Sequence, residues 1–159
     1  ERDLLAKMKN PFIVNLHYAF QDFDNLYLVL DFLGGGDLRY HISRHKKFSE
    51  EQTSKLNFFY STEFFVACLL LSYEYIHGNN VLHRDIKPEN MVIDDKGYVR
   101  ITDFGIAKLF SKDNSSETSG TPGYMAPEVM CAQNHTYVVD YFALGVFGYE
   151  FMNGRVSQI

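Results

Sequence analysis

The chain is short of cysteine, of basic charge and of long apolar runs, and each shortage excludes something. Two cysteines in 159 residues, Cys68 and Cys131, cannot build a disulfide framework. That usage points to a reducing, cytoplasmic (intracellular) setting. Fifteen Lys and Arg stand against 20 Asp and Glu, for a net charge of −5. This argues against a nucleic-acid partner, which needs clustered basic residues. The only basic run, His45-Lys46-Lys47, reads as a solvated helix end. The best membrane candidate, residues 56–73, carries Glu63 and the polar Asn57, Ser61, Thr62 and Ser72. Its unbroken apolar part, 64–71, is far short of the ~20 residues of a span, so no membrane span is expected. There is no internal repeat, low-complexity linker or signal peptide. The chain opens on Glu1-Arg2-Asp3 without Met, which suggests a fragment.

What is present suits a single globular domain. Hydrophobic residues make up 46% and aromatics 16%, enough for a core and too apolar for general disorder. Leu4, Leu5 and Met8 give helical spacing over 1–9, stopped by Asn10-Pro11. Segments 14–20 and 25–32, joined by a polar turn, predict a hairpin. Gly34-Gly35-Gly36 breaks the chain, and Asp37 then caps a short helix to about residue 45. A long helix is expected over 49–76, with Gly78 as its stop. Segments 91–93 and 98–101 flank Asp94-Asp95-Lys96-Gly97, a second hairpin. The Ser-rich 108–119 reads as a mobile loop. Residues 138–152, apolar on nearly every side, predict a buried helix. The order makes a mixed α+β chain with a mostly helical second half.

The chemistry concentrates in His83-Arg84-Asp85-Ile86-Lys87-Pro88-Glu89-Asn90. Asp103-Phe104-Gly105 begins eighteen positions after Asp85, and Ala126-Pro127-Glu128 ends twenty-five after Asp103. Taken singly, Asp85, Lys87, Asn90 and Asp103 could be turn and cap residues. In this order and spacing they resemble the catalytic loop, metal loop and activation-segment end of the protein kinases. Lys87 together with Gly120-Thr121-Pro122 is similar to the serine/threonine class. Asn10-Pro11-Phe12-Ile13-Val14 and Phe20-Gln21 resemble the AGC group, and Gly35-Gly36-Asp37-Leu38-Arg39-Tyr40-His41 looks like its YANK branch.

The resemblance implies an α+β, protein-kinase-like fold. It would comprise a partial N-lobe, from the helix the family calls αC, and most of the helical C-lobe through αF. Residues 1–33 would be the remnant of the N-lobe and hinge, and 34–155 the C-lobe part. It also implies ATP and Mg²⁺ as cofactors and a protein substrate bearing Ser or Thr. Asp85 is then the base that takes the hydroxyl proton, Lys87 a point charge beside the γ-phosphate, and Thr121 a hydrogen-bonding neighbour of both. Asn90 and Asp103 are implied metal ligands, since their hard oxygens suit Mg²⁺. The implied nucleotide set is Leu30 as gatekeeper, the Asp31 carbonyl, the Leu33 amide, Asp37, Glu89, Asn90, Val92 and Asp103. Asp37 and Glu89 are further expected to attract basic residues ahead of the phosphoacceptor. His83 and Phe104, with Leu5 and Leu16, resemble a stacked spine. Asp140 resembles the aspartate that holds the catalytic-loop backbone. Arg84 is expected to seek an anion, either Glu117 or a phosphorylated Thr118.

Three departures from the family stand out. Glu1 aligns with the glutamate that pairs with an upstream strand lysine, and that lysine and the Gly-rich loop lie outside the chain. The stretch 48–77 exceeds the family length by about nine residues, or roughly 2.5 helical turns, so an insertion is expected at about 53–62. After Gly154-Arg155 the ending Val156-Ser157-Gln158-Ile159 is atypical, and Glu128 lacks its expected arginine partner. The missing lysine and Gly-rich loop support an alternative, a catalytically dead, kinase-derived module that only binds partners.

Overall fold

The computed structural model describes residues 1–45 and 62–153. The expected insertion at about 53–62 falls, up to residue 61, outside the described residues, as do the predicted helix start at 49 and the atypical 156–159 ending. In chain order the elements are α1 (Arg2–Leu5), β1 (Leu16–Gln21), β2 (Leu26–Leu30), α2 (Leu38–His45), α3 (Thr62–Gly78) and β3 (Val81–Leu82). A 3-10 turn (Pro88–Asn90) then leads to β4 (Met91–Ile93), β5 (Val99–Ile101), β6 (Lys108–Leu109), α4 (Pro127–Met130) and α5 (Val138–Asn153). The strands pair as three antiparallel ladders, β1 with β2, β3 with β6 and β4 with β5. This is the mixed α+β order expected from the sequence.

The core is built on α3 and α5. α3 buries Phe65, Cys68, Leu69, Ser72, Tyr73 and Ile76, a stripe at helical spacing. The Phe65 ring meets Phe151 of α5 edge-on, with centroids 5.3 Å apart. Fully buried Tyr73 donates its hydroxyl to the Asp140 carbonyl at 3.0 Å, so its polar tip is satisfied. The first half of the chain is tied on by polar contacts. Ser72 donates to the Phe12 carbonyl at 2.8 Å, and the Lys9 amide donates to the Tyr75 hydroxyl at 2.7 Å. Val14 and Ile101 share a backbone bond of 2.8 Å, which seats residues 12–14 beside β5.

Three sequence expectations need correction. The first helix covers only Arg2–Leu5, although Met8 is still buried. The 108–119 segment is not a free loop. Lys108–Leu109 pairs with Val81–Leu82, and buried Asn114 donates to the His135 carbonyl at 2.8 Å and accepts the His135 amide at 2.9 Å. Polar composition hid this, because the pairing is backbone-to-backbone and the Asn side chain bonds to main chain. Helix α4 follows Ala126 with Pro127 in its first turn, a position where the missing N–H is harmless. Finally, α5 is not buried all round within this chain: Val138, Tyr141, Tyr149 and Met152 are exposed.

Candidate active site

The 81–90 segment leaves β3 as an extended loop and closes in the 3-10 turn. Asp140, in the first turn of α5, holds this loop. Its fully buried carboxylate accepts the His83 amide at 3.0 Å, the Arg84 amide at 2.8 Å and a bond from His77 Nε2 at 2.8 Å. A buried carboxylate persists only when such donors surround it. Arg84 sits at φ +68°, a left-handed conformation that costs a non-glycine residue energy, and the Asp140 contact helps hold it there. The His83 ring packs edge-on against Phe104 at 4.9 Å and bonds the Thr102 carbonyl at 3.1 Å. Burial pushes its imidazole below the usual histidine value, so it is a neutral core ring. Leu5 and Phe104 share one buried cluster and Leu16 packs on it, as the spine resemblance implies.

Asp85 is brought together with Lys87, Asn90 and Thr121. Lys87 Nζ donates to Asp85 Oδ2 at 2.7 Å, and Asn90 Nδ2 donates to the same oxygen at 3.0 Å. The Thr121 hydroxyl donates to Asp85 Oδ1 at 2.5 Å and accepts from Lys87 Nζ at 2.8 Å. Burial pushes the Asp85 carboxyl up, but the bonds from Lys87, Thr121 and Asn90 outweigh it and hold the group below its ordinary value. Asp85 is therefore an ionised acceptor with a hydroxyl already seated on one oxygen. Thr121 reaches it because Gly120, at φ +151°, passes close to the Arg84 carbonyl.

Asn90 and Asp103 lie at one end of the β4–β5 hairpin, where the Thr102 amide donates to the Asn90 carbonyl at 3.0 Å. Among the described residues both hydrogen bonds of the Asn90 side chain use Nδ2, to Asp85 Oδ2 and the Asp85 carbonyl, which leaves Oδ1 for another partner. Asp103 is exposed at φ +60° and accepts the Gly105 amide on Oδ1. Among the described residues no group of three or more His, Cys, Asp or Glu could hold a metal ion by itself. An amide oxygen and a carboxylate do fit Mg²⁺, which binds through one or two protein groups and completes its shell with water and phosphate.

Of the implied nucleotide set, Leu30 lies on β2, Asp31, Leu33 and Asp37 on the turn before α2, and Val92 on β4. Leu30 packs on the core, and Val92 bridges to Asp37. Past β2, among the described residues, neither the Asp31 carbonyl nor the Leu33 amide has a backbone partner. The Asp31 side chain, for which the sequence suggested no use, accepts from Asn15, Arg100 and His17 and ties the hinge to β5. Asp37 accepts the Tyr40 amide at 2.7 Å, the expected helix cap. Glu89 faces Arg39, with Arg39 Nε 2.7 Å from Oε1.

Arg84 finds the anion expected for it. Its Nη1 donates to Glu117 Oε2 at 2.6 Å, and Lys108 Nζ donates to Glu117 Oε1 at 2.7 Å. Its Nε and Nη2 donate to the Ile106 carbonyl. Thr118 is exposed. Sequence reasoning missed Arg39, Tyr124 and Glu150, which form one network beside the loop. The only signal was Glu150, a second carboxylate after Asp140 in a largely apolar helix.

These features define a protein kinase catalytic core, and the protein kinase domain profile matches residues 1–157. The chain belongs to the protein kinase domain family. It is 44% identical over 157 residues to a probable serine/threonine-protein kinase of Dictyostelium discoideum, covering 98% of this chain and 32% of the relative. It is 42% identical over 158 residues to ribosomal protein S6 kinase alpha-2 of Mus musculus, and 40% to alpha-1 of Rattus norvegicus. Each of these alignments covers 98% of this chain and 20% of the relative, so the chain spans a third or less of the relatives' length. The serine/threonine and AGC resemblance agrees with these relatives. Among the described residues no helix is long and apolar enough to cross a membrane.

Proposed function

We propose that this chain is the greater part of the catalytic core of a protein serine/threonine kinase that moves the γ-phosphate of ATP to a Ser or Thr hydroxyl of a protein. The observation that carries this reading is the Asp85 carboxylate, held ionised by Lys87, Asn90 and Thr121 at 2.5–3.0 Å on a loop anchored by Asp140. A decayed, partner-binding relic has no need to keep that set. The free thiols of Cys68 and Cys131 support a cytoplasmic setting.

The substrate hydroxyl takes the place at Asp85 Oδ1 that the Thr121 hydroxyl marks. Asp85 accepts its proton as the oxygen forms a bond to the γ-phosphorus. The bond from that phosphorus to the bridging oxygen breaks, and ADP leaves with the electron pair. Lys87, already between Asp85 and Thr121, places its ammonium where charge grows on the transferring group. Asn90 Oδ1 and the Asp103 carboxylate are the donors for Mg²⁺, which when bound neutralises phosphate charge. The Asp31 carbonyl and Leu33 amide, without a backbone partner among the described residues, are the edge for the adenine, with Leu30 and Val92 as its apolar neighbours. Asp37, with Oδ1 on the Tyr40 amide, is the residue assigned to the ribose, and Glu89 completes the nucleotide set.

The test is transfer from labelled ATP to a mixed Ser/Thr peptide pool by the full-length protein and its Asp85→Asn variant. Loss of the general base should lower kcat by about 10²–10⁴. A silent wild type, or a variant as active as wild type, overturns the reading.

A further inference from the structure

Arg39 stands in front of the catalytic loop with all three of its nitrogen positions engaged. Nε donates to Glu89 Oε1 at 2.7 Å, Nη1 to Glu150 Oε1 at 2.6 Å, and Nη2 to the Tyr124 hydroxyl at 2.8 Å and Glu150 Oε2 at 3.3 Å. The Tyr124 hydroxyl also donates to Glu150 Oε2. Both oxygens of Glu150 are thus occupied, and its side chain is 3% exposed. Burial opposes the charge of Arg39, but the bonds to Glu150 and Glu89 outweigh it and keep the guanidinium protonated. Burial and Glu150 together push the Tyr124 hydroxyl up, so it stays a donor.

This network abuts the reacting groups. Glu89 lies between Lys87 and Asn90, both of which bond Asp85. Tyr124 lies three residues after Thr121, which bonds the other oxygen of Asp85, and the Tyr124 amide donates to the Thr121 carbonyl. Two carboxylates so placed would form a cradle for a basic side chain of the incoming peptide, as expected of Glu89 from the sequence. A guanidinium from the chain itself already fills that cradle. Of the cradle, among the described residues, only Glu89 Oε2 remains, on a side chain 44% exposed, and one exposed ion pair changes affinity by at most about fivefold.

We propose that Arg39 is a specificity-determining residue: it closes the Glu89–Glu150 cradle from within, so the enzyme selects Ser/Thr peptides without a basic residue at this contact. The inference rests on the kinase reading above. It assigns a charge preference that differs from the one implied by family resemblance, and it does so through one side chain of α2.

The test uses the full-length protein and peptide pairs that share one serine and differ by Arg or Leu at each position flanking it. At the position where Arg39→Ala raises it, the wild-type Arg:Leu ratio in kcat/KM should lie within about fivefold. Arg39→Ala bares two carboxylates, so the ratio should rise about tenfold or more at one position, and adding Glu89→Gln should reverse part of that gain. Glu89→Gln alone alters an exposed side chain and should leave the wild-type ratio in place. That variant decides the matter if Arg39→Ala does not fold. A wild type that favours arginine by more than tenfold, with Glu89→Gln removing the preference, overturns the proposal. So does a folded Arg39→Ala protein with an unchanged ratio, which would make Arg39 a purely structural brace. A wild type silent on every peptide overturns the kinase reading itself, and this inference with it.

Discussion

Asp140 accepts the backbone amide of Arg84 at 2.8 Å across 56 residues of chain. A carboxylate at the start of a largely apolar helix thereby sets the conformation of the loop that presents Asp85. Its other donors, the His83 amide and His77 Nε2, complete the shell. Replacing Asp140 by Ala strands two amides, the buried one of His83 and the part-buried one of Arg84. Each stranded group costs about 1–3 kcal/mol, so Asp140→Ala should lose roughly 2–6 kcal/mol in urea unfolding and most of its phosphotransfer. Asp140→Asn keeps one acceptor and should lose less. An Ala variant as stable as wild type would show that the loop does not lean on this anchor.

The Arg84–Glu117 pair gives the activation segment an anion without phosphorylation. Arg84 is 3% exposed, so removing its partner leaves a buried cation short of one bond. Glu117→Ala should therefore lower kcat about tenfold or more, the worth of a charge-assisted bond. Phosphatase-treated wild type and Thr118→Ala should keep their activity. A large loss on phosphatase treatment would hand the role to Thr118.

Gly35 pairs its amide with the Ile93 carbonyl at 3.1 Å, at the turn from hinge to α2. A Cβ there would lie 2.5 Å from the Ile93 oxygen and 2.8 Å from its Cβ, both too close. Gly35→Ala should cost about 1–3 kcal/mol in thermal or urea unfolding and raise the KM for ATP. Gly34→Ala, whose nearest neighbour is 3.8 Å away, is the control and should change little. Equal behaviour of the two variants would count against the close approach.

Asp85 sets an acid limit that lies low. Burial alone would raise its carboxyl, yet Lys87, Thr121 and Asn90 bring it below the about 3.9 of a free aspartate. A carboxyl depressed in the folded state adds stability above its unfolded value and loses it as pH falls through the folded one. Between neutrality and about pH 4, then, Asp85 should neither titrate nor weaken the fold. Carboxyl NMR titration should place it below the free value in wild type and higher in Thr121→Val. A wild-type titration above the free value would show that burial wins.

Much of the fold was legible because its signals are local. The two hairpins follow from turn residues between β-rich segments, α2 from the Asp37 cap, and the α3 end from Gly78. The polar 108–119 segment was misread because its order comes from partners far away in sequence, Val81 and Leu82 for the strand and His135 for Asn114. In the site, Asp85, Lys87, Asn90 and Asp103 were legible as a spaced motif. Arg39 was not, since an arginine on a polar helix face looks solvated until its partners are known.

The sequence by itself determined which side chains stand at family spacing, Asp85, Lys87, Asn90 and Asp103, on elements dictated by caps, turns and apolar periodicity. The tertiary structure alone decided how those side chains are held and restrained. It put Asp140 under the catalytic loop, Glu117 against Arg84, and Arg39 against Glu150 across 111 residues. The physical reason is the range of the interactions. Propensity and capping act within a turn or two of chain, whereas a buried charge is satisfied by whatever donor the packed core delivers to it.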